Sequence, residues 1–287
     1  LVSSPHRRLL AATGALAPLV AEGVLAGVHL EGPYLSPERR GAHGLAQLRD
    51  PSTEELAELV ELAGGAIRMV TLAPERAGAL AAIRRLAGAG VVAAIGHTDA
   101  SYEQTRAAVA AGATVATHLC NGMRPVHHRE PGPIVALLGA PEVVCELIAD
   151  GAHLHDGMLA FAAAAAPGRT ALVTDAMAAA GMPDGTYDLG GQSVVVAGRV
   201  ARLATADGVP GAIAGSTLTM DAALRRAVGA GVSLVDAVRM AATTPARVLG
   251  LAGEVGALSP GLRADLVVLD PDLRVVRVMR AGAWIDQ

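Results

Sequence analysis

The chain has no lysine: all 23 of its Lys-plus-Arg positions are arginine. Against 27 acidic residues they leave a formal charge of −4, and no basic run interrupts the pattern, which argues against a nucleic-acid partner. Aromatic residues are nearly as scarce, with three Tyr, one Phe and one Trp, so broad stacking on sugars or bases is excluded and polar anchoring must dominate recognition. The two cysteines, Cys120 and Cys145, show no C-x-x-C spacing. They are too few for a disulfide framework, read as small buried apolar residues and fit a reducing, cytoplasmic setting. No apolar run approaches the roughly 20 residues of a membrane helix, so no membrane role is expected. No segment has the order of a signal peptide, and there is no internal repeat or low-complexity linker.

What is present is a chain of 287 residues, 52% apolar and 17% charged, long enough for one large α/β domain or two smaller ones. It opens on LVSSP without an initiator Met, which reads as a cut edge. Short apolar runs at 24–30, 67–73, 91–95, 114–117, 143–149 and 170–174 lack clean alternation, as strands buried on both faces do. Helical patterns lie between them at 53–63, 76–87, 102–111 and 157–166. Ser52 with Glu55 has capping-box spacing, and Asp99 or Ser101 is placed to cap the helix that starts at Tyr102.

This alternation implies a parallel sheet, doubly wound or closed into a barrel. The polar residues decide for the barrel. Glu31, His97, His118, the Asp150/His153 loop and Asp175 each follow a different strand, where a barrel enzyme assembles its site. Beyond Asp175 the stretch GTYDLGGQSVVVAGRVARLA reads as short antiparallel strands with Gly turns. Helices follow at 220–230 and 234–249, then an alternating tail, ADLVVLDPDLRVVRVMRAGAWI, that suits a small β-domain.

Glu31, His97 and His118 together offer one oxygen and two imidazole nitrogens, a donor set suited to Zn²⁺ or a similar divalent cation with a position left open. Each alone would pass for a hydrogen-bonded loop residue; at successive strand ends they favour a metal. Asp175 could be a helix cap or turn residue, or a general base to water activated by that metal, returning the proton to a leaving amine. In THLCNGMRPVHHREPG, Arg129 could pair with Glu130 or Asp150 at the surface, or bind a phosphate bidentately. His127 and His128 read as solvated or supporting residues, and His29 as part of its strand.

With these residues in place, the chain resembles the N-acetylglucosamine-6-phosphate deacetylase family of the amidohydrolase superfamily. The motifs are HLEGPYLSPERRGAHG, GHTDASYEQ, THLCNGMRPVHHREPG, IADGAHLH, LVTDAM, AGSTLTMDAALR, TTPARVLGL and GALSPGLRADLVVLD, in family order over essentially the whole chain. The resemblance implies hydrolysis of the acetamide of N-acetylglucosamine 6-phosphate to glucosamine 6-phosphate and acetate, in amino-sugar catabolism and cell-wall recycling. It implies an α/β fold, a (β/α)8 TIM barrel of the metal-dependent amidohydrolase type over residues 1–254. That barrel would lack its first strand, and residues 255–287 would form part of a small β-sandwich domain.

By motif position Glu31, His97 and His118 match the family's metal ligands and Asp175 its acid/base. Ala42, His43, Asn121, Gly122, Arg129 and His153 match residues that hold the sugar phosphate, and Ile213, Ala214 and Gly215 a further substrate-contacting stretch. The cofactor implied is a divalent metal ion, Zn first with Fe, Co, Mn or Ni as alternatives, one or two per subunit. A homodimer is implied, with the arginine reaching across its interface. Cys120 and Gly122 depart from the family, which more often has an aromatic or aliphatic residue and Ala there. Rival readings are an N-acetylgalactosamine-6-phosphate deacetylase and a non-catalytic sugar-phosphate sensor. A cyclic-amide hydrolase would need a carboxylated lysine that this chain cannot supply.

Overall fold

The computed structural model describes residues 1–285. Its centre is a curled sheet of six parallel strands in sequential order: β1 (Val28–Glu31), β2 (Ile67–Leu72), β3 (Val92–Ile95), β4 (Ala113–Ala116), β5 (Val144–Leu147) and β6 (Thr170–Leu172). Their registers are parallel throughout, for example Val70 opposite Ala93 and Leu147 opposite Leu172. Val2 extends the curl by a parallel bridge to Glu31, and Ala176 bridges to Ser216 at the other edge. The sheet is thus a curled half-barrel of parallel strands, the barrel alternative of the two that the alternation of strands and helices left open.

The strands lack alternation because helices cover one face and the barrel interior the other. Leu30, Val70, Leu72, Ile95, Ala116 and Leu147 are buried, and the core they begin continues into the helices. α1 (His6–Ala21) contributes Leu9, and α2 (Thr53–Leu62) contributes Leu56 and Leu59. α3 (Ala79–Gly88) buries Ala79, Ala82, Ile83 and Leu86, the i, i+3, i+4, i+7 stripe of an amphipathic helix. α4 (Tyr102–Ala110), α5 (Gly132–Leu138) and α6 (Asp156–Ala165) complete the layer.

Several boundaries differ from the sequence reading for identifiable reasons. The strand expected at 24–30 starts at Val28, because Val24 and Leu25 both bond back to the Leu19 carbonyl and close the end of α1. α1 itself, with Gly14 and Pro18 inside it, and the short α5 behind Pro131 were not anticipated. The helix expected from 76 begins at Ala79, after Gly78 in the left-handed region. Ser101, not Asp99, caps α4 in a full capping box with Gln104.

After β6 the chain forms a three-stranded antiparallel sheet, β7 (Gly185–Leu189), β8 (Gln192–Ala197) and β9 (Val200–Leu203). Next comes α7 (Met220–Gly229). The helix expected over 234–249 is broken into α8 (Leu234–Val238), a π-helical turn at Arg239–Thr243 and α9 (Thr244–Val248). The wide turn ends just before Pro245, which has no N–H to give to an i−4 carbonyl. A second antiparallel sheet closes the described chain, β10 (Leu266–Leu269), β11 (Val275–Arg280) and β12 (Ala283–Ile285). Residues 286 and 287 of the expected C-terminal unit lie outside the described residues.

Candidate active site

The C-terminal ends of the parallel strands open into a cavity of about 320 Å³, within the size range of small-molecule sites. Glu31, His43, His97, His118, His153 and Asp175 all line it. Three of these leave their strands in a backbone conformation that L-residues avoid: φ is 45° at His97, 29° at His118 and 49° at Asp175. Each such residue costs about 1–3 kcal/mol, a strain that persists where the surrounding fold over-determines a functional side chain.

Glu31 is the hub. One carboxylate oxygen, Oε1, lies 2.7 Å from His118 Nε2 and 3.2 Å from His97 Nε2. The other, Oε2, lies 3.6 Å from His43 Nε2. Burial alone would raise the Glu31 pKa, but the surrounding imidazoles, His118 first, outweigh it and hold the carboxylate well below its usual range. The rings meet edge to face, His43 with His97 at 4.7 Å and His97 with His118 at 4.9 Å.

The donor chemistry suits a cation. His97 Nδ1 is 2.7 Å from the carbonyl oxygen of Arg39, which only accepts, so the proton is on Nδ1 and the Nε2 lone pair faces Glu31. Burial pushes the His97 pKa down, against the pull of Glu31, which favours that lone pair. A lone pair aimed at a carboxylate is repulsive unless a positive charge lies between them. His118 answers the same field differently. Burial opposes its charging, yet Glu31, with Asp175 and Glu146 behind it, lifts its pKa to about 9, while its buried Nδ1 has no partner among the described residues. The residues therefore fit a divalent metal ion.

By distance alone the mutually close set among the described residues is Glu31, His43 and His97, whose donor atoms lie within 4.8 Å of one another. This differs from the sequence reading, which named His118 rather than His43. His118 nonetheless makes the shorter contact with Glu31, on the same oxygen as His97.

Asp175 faces the same cavity. Burial raises its pKa; His118 pulls it down and Glu31 pushes it up, for a net rise above the ordinary aspartate range. Its carbonyl accepts from Ser216 N at 2.7 Å, and a Cβ on Gly215 would stand 3.0 Å from that carbonyl at a φ of +62°, so glycine is required beside it. On the next loop Asp150 accepts from Ala152 N, His153 N and His153 Nδ1, the last at 2.7 Å. Those His153 contacts hold the Asp150 pKa below its usual range although burial opposes them. His153 is thereby fixed with Nε2 as its free ring nitrogen.

Of the remaining expected contacts, Ala42, Asn121, Gly122, Ile213 and Gly215 line the cavity. Ala214 does not; it is buried in a small cluster with Met177 and Val194. Arg129 lies outside the cavity, exposed, donating to His128 Nε2 at 2.8 Å rather than pairing with Glu130 or Asp150. Cys120 packs against the main core, and burial lifts its thiol to about 11. His29 bonds Thr71 Oγ1 at 2.7 Å inside the barrel, where burial lowers its pKa to about 4.

Sequence reasoning missed Ser3, Met177, Leu189 and Gln192, which also line the cavity. The Gln192 amide donates to the Ala42 carbonyl, tying the β7–β8 hairpin to the loop after β1. The GGQ turn was a usable signal for that hairpin. Ser3 had none, because its role depends on a residue forty positions away.

The profile of the amidohydrolase family matches residues 9–285. Among curated relatives, N-acetylgalactosamine-6-phosphate deacetylase of Escherichia coli O157:H7 is 45% identical over 257 residues, covering 89% of this chain and 67% of that protein. N-acetylglucosamine-6-phosphate deacetylase of Lysinibacillus sphaericus is 40% identical over 269 residues, covering 92% and 67%. Among solved structures, a Mycobacterium smegmatis N-acetyl-D-glucosamine-6-phosphate deacetylase variant in complex with N-acetyl-D-glucosamine-6-phosphate superposes with a TM-score of 0.94. It shares 50% identity and covers 99% of this chain and 74% of that one.

Proposed function

The chain belongs to the amidohydrolase family, and we propose that it hydrolyses the acetamide of N-acetylglucosamine 6-phosphate to glucosamine 6-phosphate and acetate. The observation that carries this reading is the convergence of Glu31, His97, His118 and Asp175 with the Asp150–His153 pair on one cavity. Glu31, His97 and His118 would hold the metal on the Oε1 side of the carboxylate. When bound, the ion supplies Lewis acidity that polarises the amide carbonyl and acidifies the attacking water.

The chain's own groups do the rest. Asp175 accepts the proton of the attacking water as the new C–O bond forms, then donates it to the sugar nitrogen as the C–N bond breaks. Its raised pKa suits a carboxyl that must hold a proton between those two steps. His43 donates to the carbonyl oxygen, where negative charge develops. His153 takes one side of the phosphate. Arg129, exposed on its own subunit, is assigned to the phosphate of a neighbouring subunit in a homodimer. Zinc is the expected ion, one or two per subunit, in a cytoplasmic enzyme of amino-sugar catabolism with barrel residues at 1–254 and a C-terminal β-unit at 255–287.

A second reading, the galacto epimer, is favoured by the 45% identity to the Escherichia coli relative. The 50% identity to the Mycobacterium smegmatis enzyme supports the gluco epimer. Acetate release from both epimers, with divalent metal present, tests the proposal. Preferred turnover of N-acetylglucosamine 6-phosphate is expected, and turnover of neither epimer would refute it.

A further inference from the structure

Ser3 is almost fully buried at the start of the chain, against the loop that carries His43. Its backbone N–H points at His43 Nδ1 from 3.4 Å, and its hydroxyl oxygen lies 2.9 Å from the same atom. A backbone N–H can only donate, so Nδ1 must be an acceptor and the ring proton sits on Nε2. The alternative, an Nδ1–H bonding into a hydroxyl that passes its own proton to the Glu31 carbonyl, meets two obstacles. It would set two N–H groups against each other, and the onward contact to that carbonyl is long, at 3.4 Å.

The direction of Nε2 agrees. It faces Glu31 Oε2 at 3.6 Å, where a donor is attracted and a lone pair repelled. His97 is the mirror case, its Nδ1 proton consumed by Arg39 and its Nε2 lone pair presented to Oε1. Two adjacent imidazoles are thus set in opposite tautomers by the partner each has at Nδ1, a serine in one case and a carbonyl in the other.

We propose that Ser3 is a positioning residue that fixes His43 as an Nε2–H donor, and so makes it a hydrogen-bonding group for the substrate carbonyl rather than a metal ligand. The use of that donor rests on the deacetylase reading above; the tautomer does not. With Nε2 protonated and the Nδ1 lone pair taken by Ser3, His43 has no lone pair to offer an ion, although by distance it belongs with Glu31 and His97.

The test uses the zinc-loaded chain with ¹⁵N-labelled histidine, the His43 signals being assigned by their loss in His43→Gln. Expected are a protonated Nε2 and an unprotonated Nδ1 at His43. In Ser3→Ala the two tautomers should mix and kcat should fall about tenfold, at the low end for loss of a supporting partner because the backbone donor remains. KM and zinc affinity should stay unchanged, and Ser3→Thr should recover most of kcat. An unprotonated Nε2 in the wild type, or zinc affinity that falls together with kcat in Ser3→Ala, would overturn the proposal. The wild-type spectrum decides the tautomer even if the Ala variant does not fold. If neither sugar phosphate is turned over, the functional reading fails while the spectrum still decides the tautomer.

Discussion

The ring of His97 and the backbone of Arg39 are joined by a 2.7 Å hydrogen bond from Nδ1 to the carbonyl oxygen, which ties the β3 loop to the loop after β1. Asp99 fastens the same pair from outside. Its Oδ1 accepts from Arg39 Nε at 2.7 Å and its Oδ2 from Arg124 Nη2 at 2.6 Å, so one carboxylate spans three loops of the site. Glu75 in turn accepts from Asp99 N at 2.7 Å.

Asp99→Ala should therefore weaken metal binding without unfolding the barrel. Freed from Asp99, Arg39 no longer presents its carbonyl squarely to His97, and loss of such outer support costs about ten- to a hundredfold in metal affinity. Competition with a chromophoric chelator measures it. Unchanged zinc affinity would mean that the Arg39 carbonyl is held by other contacts.

Asp175→Asn keeps the shape of the side chain and removes the oxygen proposed to accept the proton. Turnover should fall by at least about a hundredfold, the usual worth of a positioned general base, while substrate binding measured by calorimetry persists. Comparable losses in both would make Asp175 a binding residue instead.

Much of this arrangement was legible in the sequence. The strand ends carrying Glu31, His97, His118 and Asp175 stood out because parallel strands read as apolar runs and the polar residue after each run breaks it. Helices with strong caps, at Ser52 and Ser101, were equally readable. What was not legible depends on distant chain segments meeting. Ser3 reaches His43 across forty residues, and Gln192 reaches Ala42 across 150. Asp99 was open as a helix cap from its position, but two arginines that converge only in the fold draw it away. The π-helical break before Pro245 escaped because apolar periodicity runs on through it. Arg129 was not legible either: the sequence offered Glu130 or Asp150 as its ion-pair partner, whereas in the fold it lies on an exposed loop and donates to the neighbouring His128.

A second polar network, clear of the site, sets an acid limit on stability. Glu55 on α2 takes Arg49 through Nη2 at 2.6 Å and Nε at 3.0 Å, and the buried Tyr34 hydroxyl at 3.0 Å. Burial would raise its pKa, but Arg49 and Tyr34 outweigh it and the net shift is downward. A carboxyl depressed on folding contributes stability that is present above its unfolded pKa and is lost as pH falls through the folded one. Glu55→Gln should thus cost about 1–3 kcal/mol at neutral pH, the range for a broken buried hydrogen-bonded partner. The cost should shrink toward zero as the acid range is entered. Urea unfolding of both proteins at several pH values tests the sign, and a cost that grows in acid would contradict it.

The last expectation separates the phosphate from the rest of the substrate. Asp150 fixes His153 through Nδ1 while its other oxygen accepts from the backbone of Ala152 and His153. Asp150→Asn keeps an oxygen for those backbone donors and removes the charge behind the imidazole. A hydrogen bond to a charged group is worth about 1.5–3 kcal/mol, and 1.4 kcal/mol corresponds to about tenfold in an equilibrium constant. The variant's KM for N-acetylglucosamine 6-phosphate should accordingly rise roughly tenfold or more. Its kcat/KM for unphosphorylated N-acetylglucosamine, which lacks the phosphate proposed to sit on His153, should stay near that of the unaltered chain. Equal losses on both substrates would show that the Asp150 loop shapes the whole cavity and does not read the phosphate.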